Sequence, residues 1–180
     1  MEFDKTIDMS DLIAALSLLF AIIGGIFAYY QWRKSILFKR AAYINELTEK
    51  TRTDSDIQET VYLLDYGEKW YSENFHGSGE LERKVDKTLA YFSYICYLKK
   101  HRLITKNDFA FFRYEIERIL MNSDVQDYFY NLYHFSRKFN LPLSFYYLFN
   151  YGKDNKQYDS DFFCCDSYKT TEKYHHYLNF

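Results

Sequence analysis

The amino-acid sequence predicts an all-α protein, with one N-terminal transmembrane helix that continues into a stalk and then into a domain of five to six helices. Three observations carry this prediction. The 180 residues include only 6 glycines and 1 proline, which disfavours a turn-rich β architecture. A run of nineteen residues near the N-terminus contains no charge. Beyond it, apolar residues recur every three or four positions, and no alternating strand pattern competes.

The first predicted element is a membrane-spanning helix over residues 12–30. Its helical length of ~28 Å matches the ~30 Å hydrocarbon core of a bilayer. A cleavable signal peptide is the competing interpretation. However, a signal peptide needs a basic leader, and residues 1–11 contain one lysine, Lys5, and four acidic residues. No small-x-small cleavage site follows the apolar run. The span contains no ionisable residue, so a pore would require several copies of the chain.

Aromatic and basic residues that follow the span predict its boundary and its orientation. The membrane-interface residues are expected to be Tyr29, Tyr30, Trp32, Arg33, Lys34, Lys39 and Arg40. Because Lys5 is the only basic residue before the span, the positive-inside rule places the N-terminus outside and the bulk of the chain in the cytoplasm. The chain is predicted to begin with an extracytoplasmic N-terminus (1–11), a transmembrane helix (12–30) and a juxtamembrane stalk helix (31–52). A helical cytoplasmic domain (53–152) and an aromatic and acidic tail (153–180) follow.

Small residues form a stripe within the predicted span. The stripe contains Ala14, Ser17, Ala21, Gly24, Gly25 and Ala28. Such a stripe lets two helix backbones approach closely, and small-xxx-small ladders mediate helix association in lipid. We therefore expect a homo-oligomer held by this face. The alternative, that small residues are simply common in membrane helices, stays open.

The region after the stalk contains the first two helices of the predicted domain. Thr53 or Asp54 is expected to cap a helix that ends near Gly67. Its apolar face would consist of Ile57, Val61 and Leu64. Residues 80–100 then form a long helix whose second half is apolar or aromatic nearly all round. That half is expected to be the centre of the core.

Capping signals place the remaining helices. Thr105 and Asp108 approximate a capping box. Ser123 is expected to open the next helix, whose apolar face would consist of Val125, Tyr128, Leu132, Phe135 and Phe139. Pro142 suits the first turn of a short helix that Gly152 ends. The tail is expected to dock on the domain or on a neighbouring subunit, with disorder in isolation as the alternative.

Composition and motif spacing point away from nucleic-acid binding, metal binding and catalysis. A net charge of −2 offers no global attraction to nucleic acid. The pairs Cys164-Cys165 and His175-His176 lack the spacing of metal sites, and His101 and His134 come without a nucleophile in a recognisable motif. We therefore expect no catalytic residue, metal, cofactor or nucleic-acid partner. Three cysteines that cannot all pair fit a reducing compartment.

Several short motifs carry a resemblance to a known group of proteins. They are Gln31-Trp32-Arg33-Lys34, Trp70-Tyr71, Tyr91-Phe92-x-x-Ile95-Cys96, Asp108-Phe109 and Gln126-Asp127-Tyr128. This layout, over residues 13–152, resembles a domain-of-unknown-function family of short bacterial single-span membrane proteins. The resemblance implies a bacterial inner-membrane location, one anchor and an α-helical cytoplasmic domain. It implies no activity and no site residue.

Two hypotheses of function follow. The leading one is a non-enzymatic single-pass membrane protein whose cytoplasmic domain binds a protein partner or another copy of itself, with the lipid bilayer as its other partner. The alternative is a membrane effector of an anti-phage or toxin system that oligomerises and permeabilises the membrane on sensing a signal. A membrane-tethered enzyme ranks third, because the anchor and the helical domain come without a recognisable catalytic constellation.

Overall fold

The computed structural model describes residues 8–66, 69–72, 74–77 and 79–163. Within these ranges all regular structure is helical, so the all-α prediction is confirmed for the described part of the chain. The chain divides into two compact units, an N-terminal unit, Met1–Asn45, and a C-terminal unit, Glu46–Phe180. The helices are α1 (Met9–Thr53), α2 (Ser55–Asp65), α3 (Glu80–Lys100), α4 (Lys106–Met121), α5 (Ser123–Phe139), α6 (Tyr146–Asp154) and a 3₁₀ turn, η1 (Ser160–Phe163).

The helix α1 extends over 45 residues without a break. Asp8 precedes its first turn: the Asp8 carbonyl accepts a hydrogen bond from the Leu12 amide at 3.3 Å, and the Asp8 carboxylate accepts one from the Met9 amide at 2.7 Å. In the described part of the chain it is the one helix long and apolar enough to cross a membrane, and none of the residues in its most apolar stretch is buried. The division of α1 into a span and a stalk stays a prediction.

The helix α2 starts where one of the two predicted caps lies. The Asp54 carboxylate accepts hydrogen bonds from the amides of Asp56 and Ile57, so Asp54, rather than Thr53, is the cap. Ile57 and Leu64 are buried as predicted, but Val61 is only half-buried. Thr60 takes the remaining buried position, because its hydroxyl can donate to a backbone carbonyl of its own helix.

The helix α3 has the predicted bounds and lies at the centre of the C-terminal unit, where it contacts α2, α4 and α6. Leu89, Phe92 and Ile95 are completely shielded from solvent. On one side Tyr91 donates a hydrogen bond to the carbonyl of Leu47, in the last turns of α1. On the side of α2, ion pairs join Lys87 to two carboxylates, those of Asp54 and Asp56.

One residue ends α4 and starts α5. Thr105 and Asp108 form the predicted capping box at the start of α4. At its other end Asn122 is the C-cap of α4, and its side chain accepts hydrogen bonds from the first amides of α5. The helix α5 begins at Ser123 as predicted, and its N-cap is the preceding residue, Asn122.

The buried face of α5 is rotated from the predicted one. Val125 and Tyr128 are buried, but Leu132 and Phe135 are half-buried and Phe139 is exposed. Six other residues complete the buried face, namely Asp124, Phe129, Tyr130, Asn131, His134 and Ser136. The prediction followed the aliphatic spacing and undervalued polar side chains that find partners inside the core.

The helix α6 begins at Tyr146, four residues after Pro142, and Gly152 lies inside it. The prediction that Pro142 opens this helix and that Gly152 ends it is wrong. Gly152 is glycine for a packing reason: a Cβ there would collide with the ring of Tyr158 and lie 3.0 Å from Leu120. The chain then turns back, and Phe162 is buried against the rings of Tyr158, Phe149 and Tyr130. Cys164, Cys165, His175 and His176 lie outside the described residues.

Candidate functional site

The small residues predicted to mediate helix association all lie on α1. Helical geometry places them within an arc of about 100° on one side of the helix, the members being Ala14, Ser17, Ala21, Gly24, Gly25 and Ala28. All six are exposed, and a Cβ added at Gly24 or Gly25 would meet no atom within 4 Å. The described chain therefore leaves this face open. Its role in association stays a prediction.

The predicted membrane-interface residues follow on the same helix. The rings of Tyr29 and Trp32 lie 6.1 Å apart, and the Lys34 ammonium lies 5.9 Å from the ring of Phe38. Arg40 is half-buried. The other predicted interface residues are exposed, namely Tyr29, Tyr30, Trp32, Arg33, Lys34 and Lys39. Rings and cations are thus grouped within three turns, which is the grouping that an interface needs.

A second exposed surface, which we call the α2–α4 face, lies in the C-terminal unit and was not predicted. It consists of large side chains on neighbouring helices, Tyr62, Tyr66, Phe111, Tyr114 and Met121. Tyr66 is 76% exposed and Phe111 is 68% exposed. Arg118 joins the two helices, because its guanidinium pairs with Asp65 of α2 and stacks 5.0 Å from the ring of Tyr114.

The sequence does contain a signal for the α2–α4 face. Phe111, Tyr114 and Met121 follow the three-to-four spacing of a helix stripe, opposite the stripe that buries Phe112 and Ile116. A helix that is apolar on both sides either lies deep in a core or offers one side to a partner. One stripe of α4 is exposed in the described chain.

A network of buried polar groups lies between the segment 69–77 and the helices α3 and α5. The Asp124 carboxylate accepts hydrogen bonds from the backbone amides of Trp70, at 2.6 Å, and Tyr71, at 3.1 Å. It thereby satisfies two donors in a segment that has no regular structure to satisfy them. The aromatic side chains of Trp70, Tyr71 and Phe75 pack around the same point.

The hydroxyl of Tyr71 is the centre of this network. It lies 3.1 Å from His76 Nε2 and accepts a hydrogen bond from Asn131 Nδ2 at 3.0 Å. The other ring nitrogen of His76 lies 3.3 Å from a carboxylate oxygen of Glu82. A carboxylate, an imidazole and a hydroxyl in series are the parts of a nucleophilic site. Here the hydroxyl is shielded, since Tyr71 is only 1% exposed, so the geometry favours a structural network.

A second hydroxyl pairs with a second carboxylate beside this network. Tyr128 donates a hydrogen bond to Asp86 Oδ1 at 2.8 Å. Burial raises the pKa of Asp86, although the hydrogen bond from Tyr128 opposes that shift. Burial and the neighbouring Asp86 carboxylate raise the pKa of Tyr128. Both groups are therefore held closer to their neutral forms than they would be in water.

Burial also shifts the pKa of two other titratable groups, Cys96 and His134. Burial raises the pKa of the Cys96 thiol to about 12, which suppresses the reactive thiolate. Burial lowers the pKa of His134, while a hydrogen bond with the backbone of Phe162 opposes the shift. Within the described ranges, no three His, Cys, Asp or Glu side chains are grouped to hold a metal ion.

Sequence reasoning missed the Tyr71 network because its members come from three separate segments. His76 precedes α3 and Glu82 lies in its first turn, and only folding brings them to Tyr71 and Asn131. The one local signal was the pair Trp70-Tyr71, whose large rings stand in a stretch otherwise rich in polar residues.

Comparison of this chain with protein-family models, with curated protein sequences and with solved structures finds no match. The resemblance to a bacterial single-span family therefore stays a prediction that rests on the motifs quoted above.

Proposed function

We propose that this chain is a single-pass bacterial inner-membrane protein, with its N-terminus outside, whose cytoplasmic helical domain binds other copies of the chain. One observation carries the proposal: the most apolar stretch of α1 has no buried residue. Soluble proteins rarely expose a continuous apolar surface of this size, because water solvates it poorly. A bilayer supplies these apolar surroundings, and the apolar stretch of α1 is long enough to span its hydrocarbon core.

We propose another copy of the chain as the partner of the α2–α4 face, because a membrane anchor would bring copies of the chain together. A shared membrane holds all copies in one layer and one orientation, which raises their effective concentration and makes weak contacts sufficient. Aromatic residues and arginine are the types enriched at such contacts. The α2–α4 face offers both, in Tyr66, Phe111 and Arg118.

Membrane insertion is tested first, by extraction of cell membranes at alkaline pH and by accessibility of single cysteines placed at residues 5 and 50. The expected outcome is a chain that resists extraction, with residue 5 labelled from outside and residue 50 labelled only after lysis. A Leu18→Arg variant is expected to reduce insertion, since a central arginine costs about 2.5–3.5 kcal/mol. Release of the wild-type chain by alkali contradicts the proposal.

Association is tested by native mass spectrometry of the full chain in gentle detergent. Ala21→Leu and Gly24→Leu are expected to lower the oligomer order, because larger side chains hold the helix backbones apart. The matched control is Ile23→Phe, an enlargement on the opposite side of α1, which is expected to change nothing. A monomer in wild type, or equal effects of all three variants, contradicts association through the small-residue stripe.

The α2–α4 face is tested in the same measurement. Phe111→Ser and Tyr66→Ser are expected to weaken the oligomer further, while Tyr94→Ser, which alters another exposed ring, serves as control. A stoichiometric second protein that is lost with Phe111→Ser identifies a different occupant and contradicts self-association at this face. The permeabilising effector stays the alternative prediction, and it requires depolarisation of the membrane on overexpression.

A further inference from the structure

A cleft between α3, α4 and α6 gathers positive charge within the C-terminal unit. It has a volume of about 270 Å³ and is lined by Lys99, Lys106, Phe109, Ala110, Arg113, Tyr151 and Asn155. A second cleft of about 180 Å³ shares Lys99 and Tyr151 and adds one cation, Lys100, and one carboxylate, Asp154. The larger cleft therefore has three cationic side chains in its lining and no carboxylate.

Lys99 lines this cleft, and its ammonium lies close to two aromatic rings. Its ammonium lies 4.3 Å from the centre of the Phe109 ring and 4.2 Å from that of Tyr151. Two aromatic faces hold a cation by attraction to their π-electrons. The ammonium is thus fixed in place, half-buried, without an ion pair to any carboxylate in the described part of the chain.

Burial and neighbouring positive charges both disfavour the charged form of Lys99. Burial lowers the pKa of Lys99, and the positive charges of Arg113 and Lys106 lower it further. The Glu117 carboxylate, which opposes this shift, accepts a hydrogen bond from Arg113 Nε at 2.7 Å. Like charges held together in partly desolvated surroundings are typical of sites that bind a ligand of opposite charge.

The donors also suit a tetrahedral anion. Lys106 is exposed at the first position of α4, and the terminal amino groups of Arg113 make no hydrogen bond to a described residue. Two ammonium groups and a planar guanidinium are the donors that recognise phosphate oxygens. Asn155 also lines the cleft, where its amide nitrogen donates a hydrogen bond to the carbonyl of Tyr151 at 2.7 Å.

We propose that this cleft binds a phosphate group, with Lys99, Lys106 and Arg113 as the three residues that hold it. A soluble phosphorylated small molecule and a phospholipid headgroup present the same chemistry to these donors. The site lies entirely within the C-terminal unit and does not depend on the proposed membrane function or on self-association.

The test is isothermal titration calorimetry of the full chain in an uncharged detergent at low salt. Two probes distinguish the sources: inorganic pyrophosphate, and dihexanoyl phosphatidylglycerol kept below its critical micelle concentration. We expect saturable one-site binding of at least one probe. Binding of pyrophosphate alone assigns the site to a soluble phosphorylated molecule, whereas binding of the short-chain lipid with competition by pyrophosphate assigns it to a headgroup.

Three variants make the result specific. Lys106→Gln is expected to weaken binding about ten-fold, the usual loss for one charge-assisted hydrogen bond. Lys99→Gln is expected to weaken it more, and circular dichroism will show whether the fold survives that change. The control is Lys138→Gln, because Lys138 also lies over an aromatic ring, at 5.5 Å, but lines neither cleft. Absence of saturable binding of both probes, or equal weakening by Lys106→Gln and Lys138→Gln, overturns the proposal.

Discussion

The apolar residues of the N-terminal unit and those of the C-terminal unit are chemically alike, but they meet opposite surroundings. Leu18 on α1 is 63% exposed, whereas Leu120 on α4 is completely buried. In the C-terminal unit, folding itself removes the apolar side chains from water. In the N-terminal unit the same removal requires something outside the chain. An identical substitution in the two units therefore measures two different free energies.

The largest expected difference is between Leu120→Ala and Leu18→Ala. Leu120→Ala leaves a cavity in the core and is expected to lower the free energy of unfolding by about 3 kcal/mol. Leu18→Ala is expected to change the unfolding of the C-terminal unit by less than about 0.5 kcal/mol, since exposed positions contribute little. Chemical unfolding of the full chain in detergent, followed by near-UV circular dichroism, compares them. An equal loss of unfolding free energy in the two variants would contradict the different surroundings of Leu18 and Leu120.

The next effect is expected at Asp124. Asp124→Ala removes the acceptor for the amides of Trp70 and Tyr71, which stay buried, and the expected loss is about 2 kcal/mol. Asp124→Asn keeps one acceptor oxygen and is expected to lose less. Hydrogen exchange at the two amides checks the mechanism directly, because both must exchange faster in Asp124→Ala. Protection that is unchanged there contradicts the assignment of Asp124 as their acceptor.

A smaller difference is expected between the two helix caps. Asn122→Ala removes the cap of α5 and is expected to destabilise the C-terminal unit by about 1 kcal/mol. Asp8→Ala removes the cap of α1 and is expected to fray only its first turn, without altering the unfolding of the C-terminal unit. Thermal unfolding measures the first effect and amide exchange at residues 9–11 measures the second. A shift of the unfolding transition by Asp8→Ala would show that the two units are coupled.

The smallest effect concerns Asp86 and pH. Because burial raises its folded pKa above the ordinary aspartate value, the folded state binds the proton more tightly than the unfolded state does. The stabilising contribution is complete below the ordinary value and is lost as pH rises through the raised pKa. Asp86→Asn is expected to remove this part of the pH dependence. The free energy of unfolding measured from pH 3.5 to 7 will show a flatter profile, and superimposable profiles contradict the expectation.

The features that were predicted correctly from sequence depend on neighbours in the chain. The bounds of α3 and the capping box of Thr105 and Asp108 follow from local spacing and from side chains that reach their own backbone. The start of α6 was missed, since Pro142 permits a first turn but does not require one. The buried face of α5 was missed because Asn131 is buried through its partner Tyr71, sixty residues away in sequence.

The candidate sites divide in the same way. The small-residue stripe and the interface residues lie on one helix, so their grouping could be predicted from helical periodicity alone. The phosphate cleft could not be, because Lys99, Lys106 and Arg113 come from two helices and only the packing of α3 against α4 and α6 brings them together. Charge counts were misleading for the same reason, since a net charge of −2 conceals a local positive cleft.

The burial of Phe162 has a consequence for the order of events during synthesis. Phe162 packs against the rings of Phe149 and Tyr130, so this aromatic cluster is complete only after that residue has been made. The apolar stretch of α1 is made about 130 residues earlier, which at 5–20 residues per second is roughly 7–26 s. We therefore expect α1, if it is the membrane anchor that we propose, to reach the cell's insertion machinery before this aromatic cluster is complete.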